Sequence, residues 1–348
     1  MTSQYKQEKL DHTPWVEKYR PKNLDDVASQ DHAVKVLKKT LQLANLPHML
    51  FYGPPGTGKT STVLALAKQL YGPRLYKLRV LELNASDERG ISIVRLKIKN
   101  FARLSVSNPT TEDLANYPCP PYKIIVLDEA DSMTNDAQAA LRRTMENYSG
   151  VTRFCLICNY ITRIIDPLAL RCLKFRIRLL DSVNALARLS HVADLEHVRV
   201  ALAEVYDELI SVSNGDLRKA ITYLQSAARL DSSLQSENFG LSNGITVDSV
   251  REIAGVVDQS LMSSLVTVIK LKDTAKLASA VHQVVLLGWS AQQVSDQLHD
   301  ILILDDTLSS AQKNEVATAL FDTDRRLNNG TDEHIQLLNL MLLISKAM

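Results

Sequence analysis

Cysteine is scarce in this 348-residue chain, at four, and aromatic residues make up only 5%. Glycine and proline number 12 and 11. So few cysteines exclude a disulfide scaffold, and so little glycine and proline excludes a collagen-like repeat or a wholly disordered chain. No window approaches the roughly 18 uninterrupted apolar residues of a membrane span. The first ten residues also lack the apolar run of a secretory signal. The expectation is a soluble intracellular protein in a reducing compartment, with no membrane partner. Net charge is nearly absent as well, with 40 Lys and Arg against 39 Asp and Glu. That balance conceals an asymmetry. Residues 1–180 carry 27 basic and 17 acidic side chains, net +10, whereas 181–348 carry 13 and 22, net −9. The front half carries a field able to hold polyanions; the back half does not.

What the sequence does have is apolar patterning, 45% hydrophobic, enough for a substantial core and two or three domains. From about residue 14 to 165, short branched runs (Met49 to Tyr52, Val80 to Leu83, Ile124 to Leu127, Phe154 to Ile157) alternate with stretches of helical period. This predicts a parallel α/β sheet buried on both faces. From about 166 to 232 the strand-like runs disappear and a few helices are expected, ending in the segment Asp216 to Arg229. Asn243-Gly244 marks a break, and Thr246 to Met348 reads as helical throughout. The last helices, around Val281 to Leu287 and Ile335 to Leu343, are more apolar than a small bundle requires, so packing on copies or relatives of themselves is expected. Cys155 and Cys158 have the spacing of half a zinc site, but on a strand a separation of three sends the two sulfurs to opposite faces. No metal site is expected there.

Gly53-Pro54-Pro55-Gly56-Thr57-Gly58-Lys59-Thr60 fits G-x-x-x-x-G-K-[ST], follows a predicted strand and precedes a helical run from Ser61 to Leu70. Glycines let backbone N–H groups curl around a phosphate at the positive end of the following helix. Lys59 would then reach the β- and γ-phosphates of ATP, and the Thr60 hydroxyl would ligate Mg²⁺. A carboxylate pair should lie on another parallel strand, and Ile124 to Leu127 followed by Asp128-Glu129 supplies it. Asp128 is expected to hold Mg²⁺ and Glu129 to orient or deprotonate water. Asp128-Glu129-Ala130-Asp131 also spells the signature of a helicase class, but the chain has neither that class's Ser-Ala-Thr element nor its Arg-rich final motif.

The two-proline phosphate loop, Trp15-Val16-Glu17-Lys18-Tyr19-Arg20-Pro21, the segment Glu82 to Gly90, the Asp128 to Asp131 element and Gly215-Asp216-Leu217-Arg218 together resemble the small subunits of replication factor C, the eukaryotic AAA+ sliding-clamp loader. The resemblance covers nearly the whole chain. It implies an AAA+ P-loop parallel-sheet ATPase domain with an N-terminal nucleotide-contacting box over 1–165, a helical lid over 166–237, and an all-α collar for oligomerisation over 238–348. It further implies Val16 against adenine and Arg20 toward the phosphates, with contacts running through Gly53, Pro54, Pro55, Gly56, Thr57, Gly58, Lys59, Thr60 and Ser61. Asn159 corresponds to sensor 1 and Arg218 to sensor 2. An arginine at the start of a helix opposes the macrodipole and so calls for an anion, for which Asp216 is the alternative to a phosphate. Asn84 corresponds to the residue that restrains the catalytic glutamate, though an Asn at a strand end also caps turns.

The resemblance implies a nuclear heteropentamer of replication factor C subunits that opens the sliding clamp (PCNA) and loads it on primer-template DNA, with this chain hydrolysing ATP. A weakly hydrolysing scaffold subunit is the other reading. Arg171 corresponds to an arginine finger reaching a neighbour's ATP, but Leu170 stands where the family has Ser. An apolar residue cannot make that serine's hydrogen bond, so a weakened finger is expected. Backbone contacts to DNA are expected from Arg89, Arg95 and Lys99; Arg95 and Lys99, four apart, share a helix face, for which a solvated basic surface is the other reading. No interleaved aromatics suggest base stacking.

Overall fold

The computed structural model describes residues 13–26, 31–42, 45–86, 91–236 and 244–348. The chain forms two compact units, the second being Val247–Met348. In the first, elements run α1 (Trp15–Lys18), α2 (Asp31–Gln42), β1 (Met49–Tyr52), α3 (Lys59–Arg79), β2 (Val80–Asn84), α4 (Ile91–Arg103), α5 (Thr111–Asn116), β3 (Lys123–Asp128), α6 (Asn135–Tyr148), β4 (Thr152–Cys158), α7 (Asp166–Ala169) and β5 (Leu173–Arg176). Three helices follow: α8 (Ser182–Leu195), α9 (Glu204–Val212) and α10 (Leu217–Ser236). The five strands pair in parallel in the order β2-β3-β4-β1-β5.

Strand alternation divides the core into two layers. Met49, Phe51, Ile124, Val126, Cys155 and Ile157 face one way, onto Val63, Leu66 and Leu70 of α3. Leu50, Ile125, Leu127, Phe154, Leu156 and Cys158 face the other, onto Ile98 of α4 and Leu141 and Met145 of α6. Cys155 and Cys158 therefore do sit on opposite faces, and burial pushes the Cys158 thiol up to about 12. Residue 165 does not end the strands. β5 lies beyond it and forms an edge whose residues, Leu173-Lys174-Phe175-Arg176, are exposed except for Phe175. One inward side chain in four gives too little apolar signal to read as a strand. Likewise α3 runs past Leu70, broken at Gly72 (φ 66°) ahead of Pro73; the Tyr117 ring fills the space a Cβ at Gly72 would need.

Two buried cations hold irregular backbone in place. Lys123 Nζ donates to the carbonyls of Phe101, Ala102 and Leu104 at the end of α4. Arg79 donates to Ser107, Cys119 and Pro120 carbonyls. These charges are internal, so part of the positive balance of residues 1–180 is unavailable to an external polyanion.

His48 precedes β1, and its Nδ1 accepts the Phe154 N–H at 3.1 Å, which requires an unprotonated nitrogen. Burial, with Arg153 and Arg171 adding to it, lowers its pKa to about 4. The unfolded chain, titrating near the ordinary value of about 6.5, binds the proton that the folded chain refuses, so stability is lost as pH falls from there toward 4. Urea midpoints at pH 7 and pH 5 should differ by less in His48→Gln than in the parent chain.

The second unit begins with α11 (Val247–Ala254). Its remaining helices, α12 (Gln259–Leu271), α13 (Thr274–Leu286), α14 (Ala291–Leu304), α15 (Ser310–Asn328) and α16 (Glu333–Ala347), share a core around Leu265, Val281, Leu298, Leu320 and Leu340. Capping boxes start α14 (Ser290 with Gln293) and α15 (Ser309 with Gln312). Leu286, Leu304, Phe321 and Ile335 stay more than 60% exposed. Among the described residues, no single helix is long and apolar enough to cross a membrane.

Candidate active site

Parallel pairing brings the carboxyl ends of β1, β3 and β4 to one edge of the sheet, and the predicted chemistry collects there. The loop leaving β1 needs its glycines. Gly53 (φ 148°) lies so close to the Ile177 carbonyl that a Cβ would stand 2.0 Å from its oxygen, and Gly58 (φ 85°) opens α3 in the left-handed region. At Gly56 (φ 68°) a Cβ would overlap the Asp216 carboxylate, so this glycine lets the lid approach the loop.

Lys59 is 7% exposed, and its Nζ donates to Gly53 O (2.9 Å), Pro54 O (2.7 Å) and Asn159 Oδ1 (2.8 Å). Burial lowers its pKa, yet three acceptors around one nitrogen match an ammonium group's three protons. One residue on, Thr60 Oγ1 donates to Asp128 Oδ2 at 2.7 Å. Asp128 Oδ1 accepts the Glu129 N–H at 2.9 Å. Glu129 itself adopts φ 53°, a left-handed conformation uncommon outside glycine and costing on the order of 1–3 kcal/mol. Its backbone is tied by Ser132, whose N and Oγ both donate to the Glu129 carbonyl, while the carboxylate is exposed and makes no hydrogen bond among the described residues.

Asp131 was given no role by the sequence beyond completing a four-letter signature, but it fixes the sensor loop. Its Oδ2 accepts the N–H groups of Asn159 (3.2 Å) and Tyr160 (3.1 Å), and Asn159 in turn holds Lys59. Asp131→Ala should cost little stability, since both amides can meet water, but loosen the Asn159 amide and lower ATP turnover on the order of ten-fold. Steady-state ATPase assays alongside thermal melts check this. Asn84, which the resemblance pairs with Glu129, instead accepts from Ser86 N and Oγ, both at 3.0 Å, and caps the turn after β2.

A cleft lies beside the phosphate loop, lined by Val16, Tyr19, Arg20, Gly56, Thr57, Gly58, Ser61, Leu180, Arg188, Leu217, Arg218 and Ile221 among others. One wall is apolar, the other is the loop backbone, and Arg20, Arg188 and Arg218 border it; such a cleft suits a flat apolar base carrying a polyanionic tail. Arg20 pairs with Glu17 at 3.0 Å. Asp216 Oδ1 accepts the backbone N–H groups of Arg218 (2.8 Å) and Lys219 (3.2 Å), capping α10. The Arg218 guanidinium has no ion-pair partner among the described residues, so it is Asp216's backbone contacts, not a side-chain pair, that start this helix. Arg188, Glu196 and Gln225, which hold the box carrying Val16 and Arg20, are not legible in the sequence, because nothing local marks a contact across some 170 to 210 residues.

Arg171 is away from this edge. It follows α7 and pairs with Glu146 of α6, which also accepts from Arg142 Nε at 3.1 Å. Of the proposed DNA contacts, Lys99 is exposed on α4; Arg89 lies outside the described residues, as does the side chain of Arg95.

Three family models match the chain: the ATPase family associated with various cellular activities over residues 49–180, an AAA+ ATPase lid domain of the RCF1/5-like type over 187–229, and the replication factor C C-terminal domain over 257–342. Replication factor C subunit 2 of Saccharomyces cerevisiae is 59% identical over 98% of this chain and 95% of its own length. Human replication factor C subunit 4 is 49% identical over 96% of this chain and 88% of its own. Among solved structures, the Thermotoga maritima RuvB Holliday junction branch migration motor superposes with TM-score 0.51 at 17% identity, covering 74% of this chain and 80% of that one, a likeness of fold.

Proposed function

This chain belongs to the replication factor C family, as a clamp-loader small subunit with an AAA ATPase domain, and we propose that it binds and hydrolyses ATP in a nuclear heteropentamer that opens the sliding clamp (PCNA) and places it on primer-template DNA. The observation that carries the reading is the convergence of Lys59, Thr60, Asp128, Glu129 and Asn159 from three strand ends, with Thr60 and Asp128 in contact at 2.7 Å. That hydroxyl–carboxylate pair is a hard-oxygen donor set that fits Mg²⁺, which when bound would neutralise charge on the β- and γ-phosphates.

The protein groups divide the remaining work. The loop N–H groups and Lys59 bind the phosphates, and Val16 and the apolar wall bind the base. Arg20 and Arg218 add positive charge where the phosphates enter. Glu129, its carboxylate unengaged, takes a proton from the attacking water, and Asn159, anchored through Asp131, orients that water or the γ-phosphate. Arg89, Arg95 and Lys99 would grip DNA through phosphates, as a loader serving every sequence requires. The exposed Leu286, Leu304, Phe321 and Ile335 of the second unit are apolar side chains that other subunits would cover.

Purifying the native complex, identifying its chains and measuring ATPase with and without primer-template DNA tests the reading. Several different chains and DNA-stimulated turnover are expected; a complex of identical chains would overturn it.

A further inference from the structure

The base side of the cleft is walled by a segment too short to hold itself. α1 is a single turn with no buried residue, and one turn has no stability of its own in water. Its hold comes from the lid. Lys18 Nζ (2.7 Å) and Tyr19 Oη (2.6 Å) both donate to Glu196 Oε1, at the end of α8. Arg188 of α8 donates to the Tyr19 carbonyl at 2.5 Å, and the Trp15 N–H donates to Gln225 Oε1 of α10 at 3.1 Å. Five residues beyond Tyr19, Leu24 is fully buried in the sheet core. The segment is thus a strap with one end on the lid helices and the other in the sheet layer.

Its residues divide in duty. Val16, Tyr19 and Arg20 line the cleft, while Lys18 and the Tyr19 hydroxyl turn to Glu196. The Lys18 and Glu196 side chains are only 22% and 17% exposed, so water and salt screen this pair less than a surface one. Glu196 is not among the residues lining the cleft.

We propose that Glu196 is a positioning residue for the base end of the nucleotide: by gathering Lys18 and Tyr19 on one carboxylate oxygen, it sets where Val16 and Tyr19 stand in the cleft, so its loss weakens a ligand that carries a base more than one that has phosphates alone. This rests on the ATP-binding reading above.

The test measures dissociation constants of the full chain for ATP and for inorganic tripolyphosphate, which engages the phosphate loop and has no base. Glu196→Ala should weaken ATP about ten-fold, the equivalent of one charge-assisted contact, and tripolyphosphate no more than about three-fold, the share that Arg20 carries. Glu196→Gln, which keeps an acceptor for Lys18 and Tyr19, should fall between. Lys18→Met, altering the strap from its other side, should reproduce the ATP-selective loss and covers the case in which the Glu196 variants melt early. Unchanged ATP affinity, or parallel losses for both ligands, would overturn the proposal. A parent chain that itself binds neither ligand would instead overturn the ATPase reading from which it starts.

Discussion

Glu129→Gln should leave ATP binding intact while cutting turnover at this subunit's site by on the order of 10² to 10⁴, the usual contribution of a positioned general base. The amide keeps the size of the side chain and disturbs none of the contacts that fix the residue. Those contacts are backbone ones: the Glu129 N–H on Asp128 Oδ1 and the Glu129 carbonyl on Ser132. Only the ability to accept a proton is removed. Nucleotide affinity from equilibrium binding and single-turnover hydrolysis in the assembled complex check the two halves separately. A complex in which Glu129→Gln changes neither the amount of trapped ATP nor the rate would identify this chain as a scaffold subunit whose phosphate loop binds without hydrolysing.

The parts of the fold legible in the sequence are those where one segment's own pattern determines its fate. β1, β3 and β4 are buried on both faces and so read as continuous apolar runs, and the phosphate loop announces itself through glycines that the backbone requires. β5 carries no such pattern, because it is an edge strand with one buried residue. The site shows the same division. Lys59, Thr60, Asp128 and Asn159 meet at one sheet edge, and they are legible because each ends or follows a buried strand or begins the helix after it. Asp131 and Glu196 act through long-range contacts to backbone amides or to a distant box, and carboxylates on exposed turns look alike in sequence whether or not they hold anything. Charge was legible only as a sum. Lys59, Arg79 and Lys123 each count toward the positive front half, yet each is buried against carbonyl oxygens.

Arg171→Ala should lower ATP turnover at the neighbouring subunit's site by on the order of 10³, with little change in this subunit's own nucleotide affinity. The register of the sheet supplies the reason for expecting the effect in a neighbour. Leu173 pairs with Met49 at the start of β1, and Arg176 pairs with Tyr52 just before the phosphate loop. Arg171 precedes β5, so roughly 10 Å of strand, at about 3.3 Å per residue, separates it from the edge where its own subunit's ATP would sit. Among the described residues the guanidinium pairs only with Glu146, and the adjacent Leu170 is 79% exposed. Nor does the missing serine leave the turn unmade. Leu170 N–H donates to Asp166 O at 2.9 Å, and Arg171 and Cys172 N–H groups donate to Leu168 and Ala169 carbonyls at 3.2 Å. Backbone bonds thus supply the turn, and Leu170→Ser should change turnover by no more than a few-fold. Arg171→Lys should not rescue Arg171→Ala, because a point charge cannot present the planar, forked donors that match phosphate oxygens. Mixing the variant subunit with otherwise wild-type partners and measuring hydrolysis isolates the affected site. Turnover unchanged in Arg171→Ala would remove the residue from the reaction and leave its pairing with Glu146 as its whole role.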